Sequence, residues 1–221
     1  MEQSIAEQKA CELGIDRTQV VREYWELILL KGLYESPQAR YLIFKGGTAL
    51  RLAYGSPRFS EDLDFSLAKD VMKGKFRPLI KKIISPYPEL SDTDLEEKYY
   101  TYLAEIKVSQ NYLTMPFRIK IEVSKREAPN YRWELKLLNS PAAVIQVMAQ
   151  VATQEQIYQD KLICLKGRGK PKDIFDLWYL SERLRIPYAP ENINFKKKDL
   201  IRDLRKYLPR DFWPAIERLI R

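Results

Sequence analysis

The sequence predicts an α+β fold, with strands and helices mixed over residues 1–135 and a helical lobe over residues 136–221. Three observations lead there. Apolar–polar alternation rich in β-branched and aromatic residues marks strands, most clearly at 62–67 and 115–124. Apolar residues spaced by three and four mark helices within 1–35, at 48–54 and at 76–84. From Ala142 onward the pattern reads as one helix after another, and this change near residue 135 divides the chain.

In chain order, residues 1–35 read as two helices. Asp16 or Thr18 is placed to cap the second, and Gly32 is its expected stop. Its positions Val20, Val21, Tyr24, Trp25, Leu27, Ile28 and Leu29 form a broad apolar stripe suited to core packing. Residues 41–45 are a short apolar run, read as a buried strand, that ends at Gly46-Gly47. A helix over 48–54 follows and is ended by the turn Gly55-Ser56-Pro57. Residues 69–74 read as a turn or a helix entry, and helix 76–84 is flanked by Lys75 and carries Arg77, Lys81 and Lys82, a solvated or an RNA-facing surface. Pro86 and Pro88 mark a loop, and the acidic stretch 91–97 would repel a polyanion. Segments 98–109 and 115–124, joined by a turn at 111–114, pattern as an antiparallel hairpin. Pro129 and Pro141 bracket a connection without clear periodicity, and helices are expected at 142–152, 155–166, 172–184, 197–207 and 211–220.

Composition narrows the chemistry. With 221 residues, 45% of them apolar, the chain is long enough to bury a core. It has no apolar run of membrane-spanning length and no basic-then-apolar leader at its start, so a cytoplasmic location is expected. Cys11 and Cys164 are too few and too far apart for a disulfide framework or a cysteine-based zinc site. Histidine is absent, which excludes histidine-dependent triads, histidine-ligated zinc and histidine general bases. Carboxylates, lysines, hydroxyls and bound cations remain. The net charge of +8 favours polyanionic partners, nucleic acid first, although a basic surface also simply keeps a protein soluble. Fourteen tyrosines could stack on unpaired bases or pack at the margin of the core.

The chemistry concentrates in residues 43–67. Gly46 and Gly47 allow close approach of a ligand to the backbone, and the N-terminus of the following helix offers unpaired N–H groups to an anion. On a strand, Asp62, Asp64 and Ser66 share one face while Leu63, Phe65 and Leu67 point into the core. Two carboxylates ~7 Å apart along a strand repel each other unless protonated or bridged by cations. Mg²⁺ is typically bound by one or two carboxylates together with phosphate oxygens. A phosphate cradle followed by a carboxylate pair points to nucleotide chemistry.

The string Lys45-Gly46-Gly47-Thr48-Ala49-Leu50, then Arg58-x-Ser60-x-Asp62-x-Asp64-Phe65, resembles the AbiEii/AbiGii-type nucleotidyltransferases, which include MenT toxins, within the DNA polymerase β-like superfamily. The resemblance implies a nucleotidyltransferase fold, a small mixed β-sheet flanked by helices, joined to the helical lobe with the nucleotide between them. It also implies two Mg²⁺ ions held by Asp62 and Asp64, with an NTP as substrate and Gly46, Gly47 and Thr48 around its phosphates. Glu122, in a Lys-Ile-Glu-Val-Ser context, matches the third acidic position; the alternative is a surface residue paired with Lys120 or Arg118 on the same face. Lys161 lies within the apolar stripe of its helix and matches a family lysine that would neutralise the triphosphate, or else it snorkels to the helix edge. Asp173 matches an acidic position able to orient Lys161 or the nucleotide, and also suits the first turn of a helix. Lys172 stands where the family has arginine, retaining charge without the bidentate fork, and Asp176 is read as structural. Arg58 and Ser60 are expected near phosphate or shaping the turn. By resemblance, the reaction is transfer of NMP to an acceptor hydroxyl, first a tRNA 3′ end, by a toxin with a cognate antitoxin. A protein or small-molecule acceptor, or a non-catalytic Mg·NTP switch, are the alternatives.

Overall fold

The computed structural model describes residues 1–126, 130–167, 169–188 and 196–219. Pro129, Arg168 and the last residue of the helix expected at 211–220 lie outside them. Helix α1 (Gln3–Leu13) ends on Gly14 in the left-handed region, and α2 (Arg17–Tyr34) starts on Asp16, whose side chain accepts the Thr18 N–H. Gly32 does not stop α2. It lies inside the helix, where a Cβ would sit 2.7 Å from Ile83, so glycine is what lets α2 and α4 (Phe76–Ile84) approach.

One seven-stranded mixed sheet organises the chain, in the order β3-β4-β5-β2-β1-β7-β6. Its strands are β1 (Leu42–Lys45), β2 (Asp62–Leu67), β3 (Leu90–Glu97), β4 (Thr101–Val108), β5 (Phe117–Ser124), β6 (Trp133–Ser140) and β7 (Ala143–Ala152). The hairpin read from 98–109 and 115–124 is the antiparallel β4–β5 pair. The acidic stretch 91–97, given no secondary structure by the sequence reading, belongs to the edge strand β3. The core between the sheet and α2, α3 (Gly46–Tyr54) and α4 includes Trp25, Phe44, Leu50, Phe65, Phe76, Ile106 and Ile121, all essentially inaccessible.

The helix expected at 142–152 is strand β7, paired along its length with β6 and in parallel with β1 at Phe44–Val151. Alanine, methionine and glutamine favour helix locally, but Val147, Ala149 and Val151 bury one face at a period of two, and the neighbouring strands decide the outcome. The change to continuous helix therefore falls after Ala152. Helices α5 (Gln154–Gly167), α6 (Pro171–Leu184), α7 (Lys197–Arg205) and α8 (Trp213–Arg218) follow. Ile174, Phe175, Leu200, Leu204, Leu208 and Ile216 form a separate, smaller core among them. Among the described residues no helix is long and apolar enough to cross a membrane.

Candidate active site

The site is built where β1 turns into α3. Gly46 adopts φ +80°, a conformation that side chains disfavour, and a Cβ there would lie 2.6 Å from Asp64 Oδ2. A Cβ on Gly47 would lie 2.2 Å from Arg58 Nη2 and 2.8 Å from Ser60 Oγ. The two glycines thus let a carboxylate and a buried guanidinium close on the start of α3. Thr48 is buried, and its hydroxyl donates to the Asp62 carbonyl at 2.6 Å, tying α3 to β2.

Strand register then gathers the acidic positions. β2 is antiparallel to β1 with Lys45 opposite Asp64, and parallel to β5 with Asp64 opposite Glu122 and Asp62 opposite Lys120. Asp62, Asp64 and Glu122 therefore occupy one face of adjacent strands. Burial, then the negative charges of Asp62 and Glu122, push the Asp64 carboxyl up, while Lys45 and Lys161 pull it the other way. Glu122 is held by Lys120 at 2.8 Å, the pairing anticipated for a surface residue, and Lys172 Nζ stands 4.0 Å from Asp62 Oδ2. Burial pulls the Lys172 ammonium down, against the opposing effect of Asp62. Among the described residues no three acidic or thiol side chains converge tightly enough to ligate one ion. The donor set nevertheless suits Mg²⁺: hard carboxylate oxygens on one face, one of them partly buried amid like charge that a cation would relieve.

A buried ionic cluster lies next to these residues, with Lys161 close enough to act on Asp64. Arg58 donates to Asp176 from Nε and Nη2 at 2.7 and 2.8 Å, and from Nη1 to the Phe59 carbonyl. Lys161 Nζ lies 2.6 Å from Asp176 Oδ2 and 2.9 Å from Asp173 Oδ1. All four side chains are nine-tenths or more buried. Burial would raise the Asp176 carboxyl, but Arg58 and Lys161 overcome it and hold it at about 2. Lys161 and Arg58 thus spend their donors on carboxylates, because a charge in an apolar setting must be paired. Lys172 and Lys120 stand beside Asp62 and Glu122, and Lys45 lies opposite Asp64 on the neighbouring strand.

The family profile described as the nucleotidyl transferase AbiEii toxin of type IV toxin–antitoxin systems matches residues 28–216, most of the chain. The chain belongs to that family. It is a nucleotidyltransferase of the AbiEii toxin type, a membership that implies an NTP substrate and a cognate antitoxin. Solved structures share the fold. The MenT4 nucleotidyltransferase toxin of Mycobacterium tuberculosis is 15% identical with a TM-score of 0.62, covering 91% of this chain and 68% of its own. A nucleotidyltransferase described from Helicobacter pylori is 24% identical at TM-score 0.57, covering 93% and 81%. JHP933, also from H. pylori, is 24% identical at TM-score 0.56, covering 93% and 78%. No curated protein sequence matches significantly.

In this AbiEii-type chain, sequence reasoning did not place Lys45, Lys120 or Tyr131 at the site. Lys45 needs the β1–β2 register, and Lys120 was legible only as a neighbour of Glu122. Tyr131 donates a short hydrogen bond to Asp160 and lies with its ring 5.7 Å from Lys45 Nζ; burial, then Asp160, push its hydroxyl up. It falls in the stretch that showed no periodicity.

Proposed function

We propose that this toxin transfers NMP from an NTP to a hydroxyl at the 3′ end of an RNA, most simply a tRNA. The observation that carries the reading is the register that sets Asp64 between Lys45 and Glu122, beside the N-terminus of α3. The nucleotide sits between a sheet-bearing lobe and a helical lobe, whose boundary we set at the end of β7. Two Mg²⁺ ions would be held by Asp62 and Asp64, with Glu122 on the acceptor side, and would neutralise the triphosphate and the departing pyrophosphate. Backbone N–H groups at Gly46, Gly47 and Thr48 receive phosphate oxygens at the helix N-terminus. Lys172 adds a point charge there. The acceptor oxygen bonds to the α-phosphorus, the bond to pyrophosphate breaks, and Glu122, freed from Lys120, takes the hydroxyl proton. Arg58, Ser60, Lys161 and Asp173 hold the turn and α6 in place beside the carboxylates.

The test mixes the protein with each α-labelled NTP, Mg²⁺ and total tRNA, beside Asp64→Ala. Label entering RNA only with Asp64 intact supports the reading and identifies the base. Label on protein moves the acceptor to a side chain, and NTP binding without any transfer favours a switch.

A further inference from the structure

The turn between β3 and β4 departs from ordinary turn chemistry. Lys98 N–H donates to the Thr101 carbonyl, so the hairpin closes over two residues, Tyr99 and Tyr100. Such loops favour asparagine and glycine. Here both positions carry aromatic rings, 84% and 56% exposed, that add little to the core. The rings meet edge to face with centroids 4.5 Å apart, and the Arg126 guanidinium lies 5.4 Å from the Tyr100 centroid. The base of the turn is fastened: Lys125 N–H donates to the Tyr100 carbonyl, and Lys125 Nζ to the Lys98 carbonyl while lying over the Tyr102 ring. A fixed backbone presenting two open rings departs from local rules in a way expected of a functional surface.

Its surroundings select the ligand. Gly74 N–H donates to Glu97, which brings the exposed Lys73 and Lys75 beside the turn, and Lys125 and Arg126 stand on its β5 side. The acidic side chains of β3 line the opposite edge, with Glu96 already taken by Lys98 at 2.5 Å. A polyanion crossing the turn is therefore directed toward β5. Pairing of Thr101 with Ser124 and of Leu103 with Glu122 puts the turn three residues along from the Glu122 level, on the order of 10 Å at about 3.3 Å per residue. That is roughly three bases at a stacked rise of about 3.4 Å.

We propose that Tyr99 and Tyr100 are a stacking platform for unpaired bases of the acceptor RNA, a few nucleotides from its reacting 3′ end. The proposal rests on the reading of RNA as acceptor. Aromatic faces stack on any base, so the platform positions a single strand without reading its sequence.

The test uses a fluorescent single-stranded RNA with a free 3′ hydroxyl, and the same RNA annealed to a complement. Binding is measured by anisotropy for the full chain, Tyr99→Ala/Tyr100→Ala and Tyr99→Phe/Tyr100→Phe, with circular dichroism confirming each fold. The alanine pair is expected to weaken single-strand binding by about 5- to 100-fold, to raise KM for RNA with kcat nearly unchanged, and to leave duplex binding alone. The phenylalanine pair keeps the rings and is expected to bind within about twofold of the parent. Equal single-strand binding by parent and alanine variants overturns the platform while leaving the RNA reading intact. If the parent neither binds nor labels RNA, both fall together. Tyr99→Ala alone, at the more exposed ring, repeats the test should the double variant fold poorly.

Discussion

Replacing Asp176 by asparagine keeps the shape of the buried cluster and removes one of its two negative charges. Lys161 then keeps its contact with Asp173, Arg58 loses the carboxylate it pairs with, and three close contacts of 2.6–2.8 Å lose their ionic partner. Breaking a buried pair from one side leaves an uncompensated charge and costs about 3–5 kcal/mol. In a chain of this size that lowers the melting temperature by roughly 6–20 °C, at about 2–4 °C per kcal/mol. Acid dependence gives a second signature. The folded Asp176 carboxyl is held at about 2, below its unfolded value, so its contribution is complete above about pH 4 and is lost as pH falls through about 2. The lost contribution is about 2 kcal/mol, and Asp176→Asn should lack that part of the acid sensitivity. The assay is thermal unfolding by circular dichroism at pH 7 and across pH 2–5. A variant melting within 2 °C of the parent, about 1 kcal/mol, would refute the view that this cluster holds α5 and α6 to the site.

Four further substitutions have outcomes that follow from the structure. Asp64→Asn should lower transfer of labelled NMP by about 100-fold or more while melting no lower than the parent, because burial and two like charges already disfavour the Asp64 carboxylate. Gly47→Ala, whose new methyl meets Arg58 Nη2 at 2.2 Å, should cost about 1–3 kcal/mol in urea unfolding; Gly46→Ala adds backbone strain at φ +80° and should also impair transfer. Gly32→Ala, far from the carboxylates, should destabilise by about 1–3 kcal/mol through its 2.7 Å contact with Ile83 and leave transfer by the folded protein unchanged.

Much of the site was legible because its signals are local. A period of two puts Asp62 and Asp64 on one face, and Gly46-Gly47 announces the change from strand to helix, where they open α3. The same period placed Glu122, but its position opposite Asp64 required β5 to lie parallel to β2 across a long stretch of chain. Lys161 was recognised as a charge in an apolar stripe. Its partners Asp173 and Asp176 sit on the next helix, and only the packing of α5 against α6 brings them within reach. The clearest misreading, β7 as helix, has the same origin. Its residues suit a helix in isolation, and the strand exists because β1 and β6 flank it.

The most direct test of the central claim follows the two ends of the triphosphate. Parallel reactions with α-labelled and γ-labelled NTP, Mg²⁺ and acceptor RNA should place the α label on RNA and release the γ label as pyrophosphate, both dependent on Asp62 and Asp64. The γ label on the acceptor, or release of inorganic phosphate without transfer, would contradict nucleotidyl transfer as the reaction of this site.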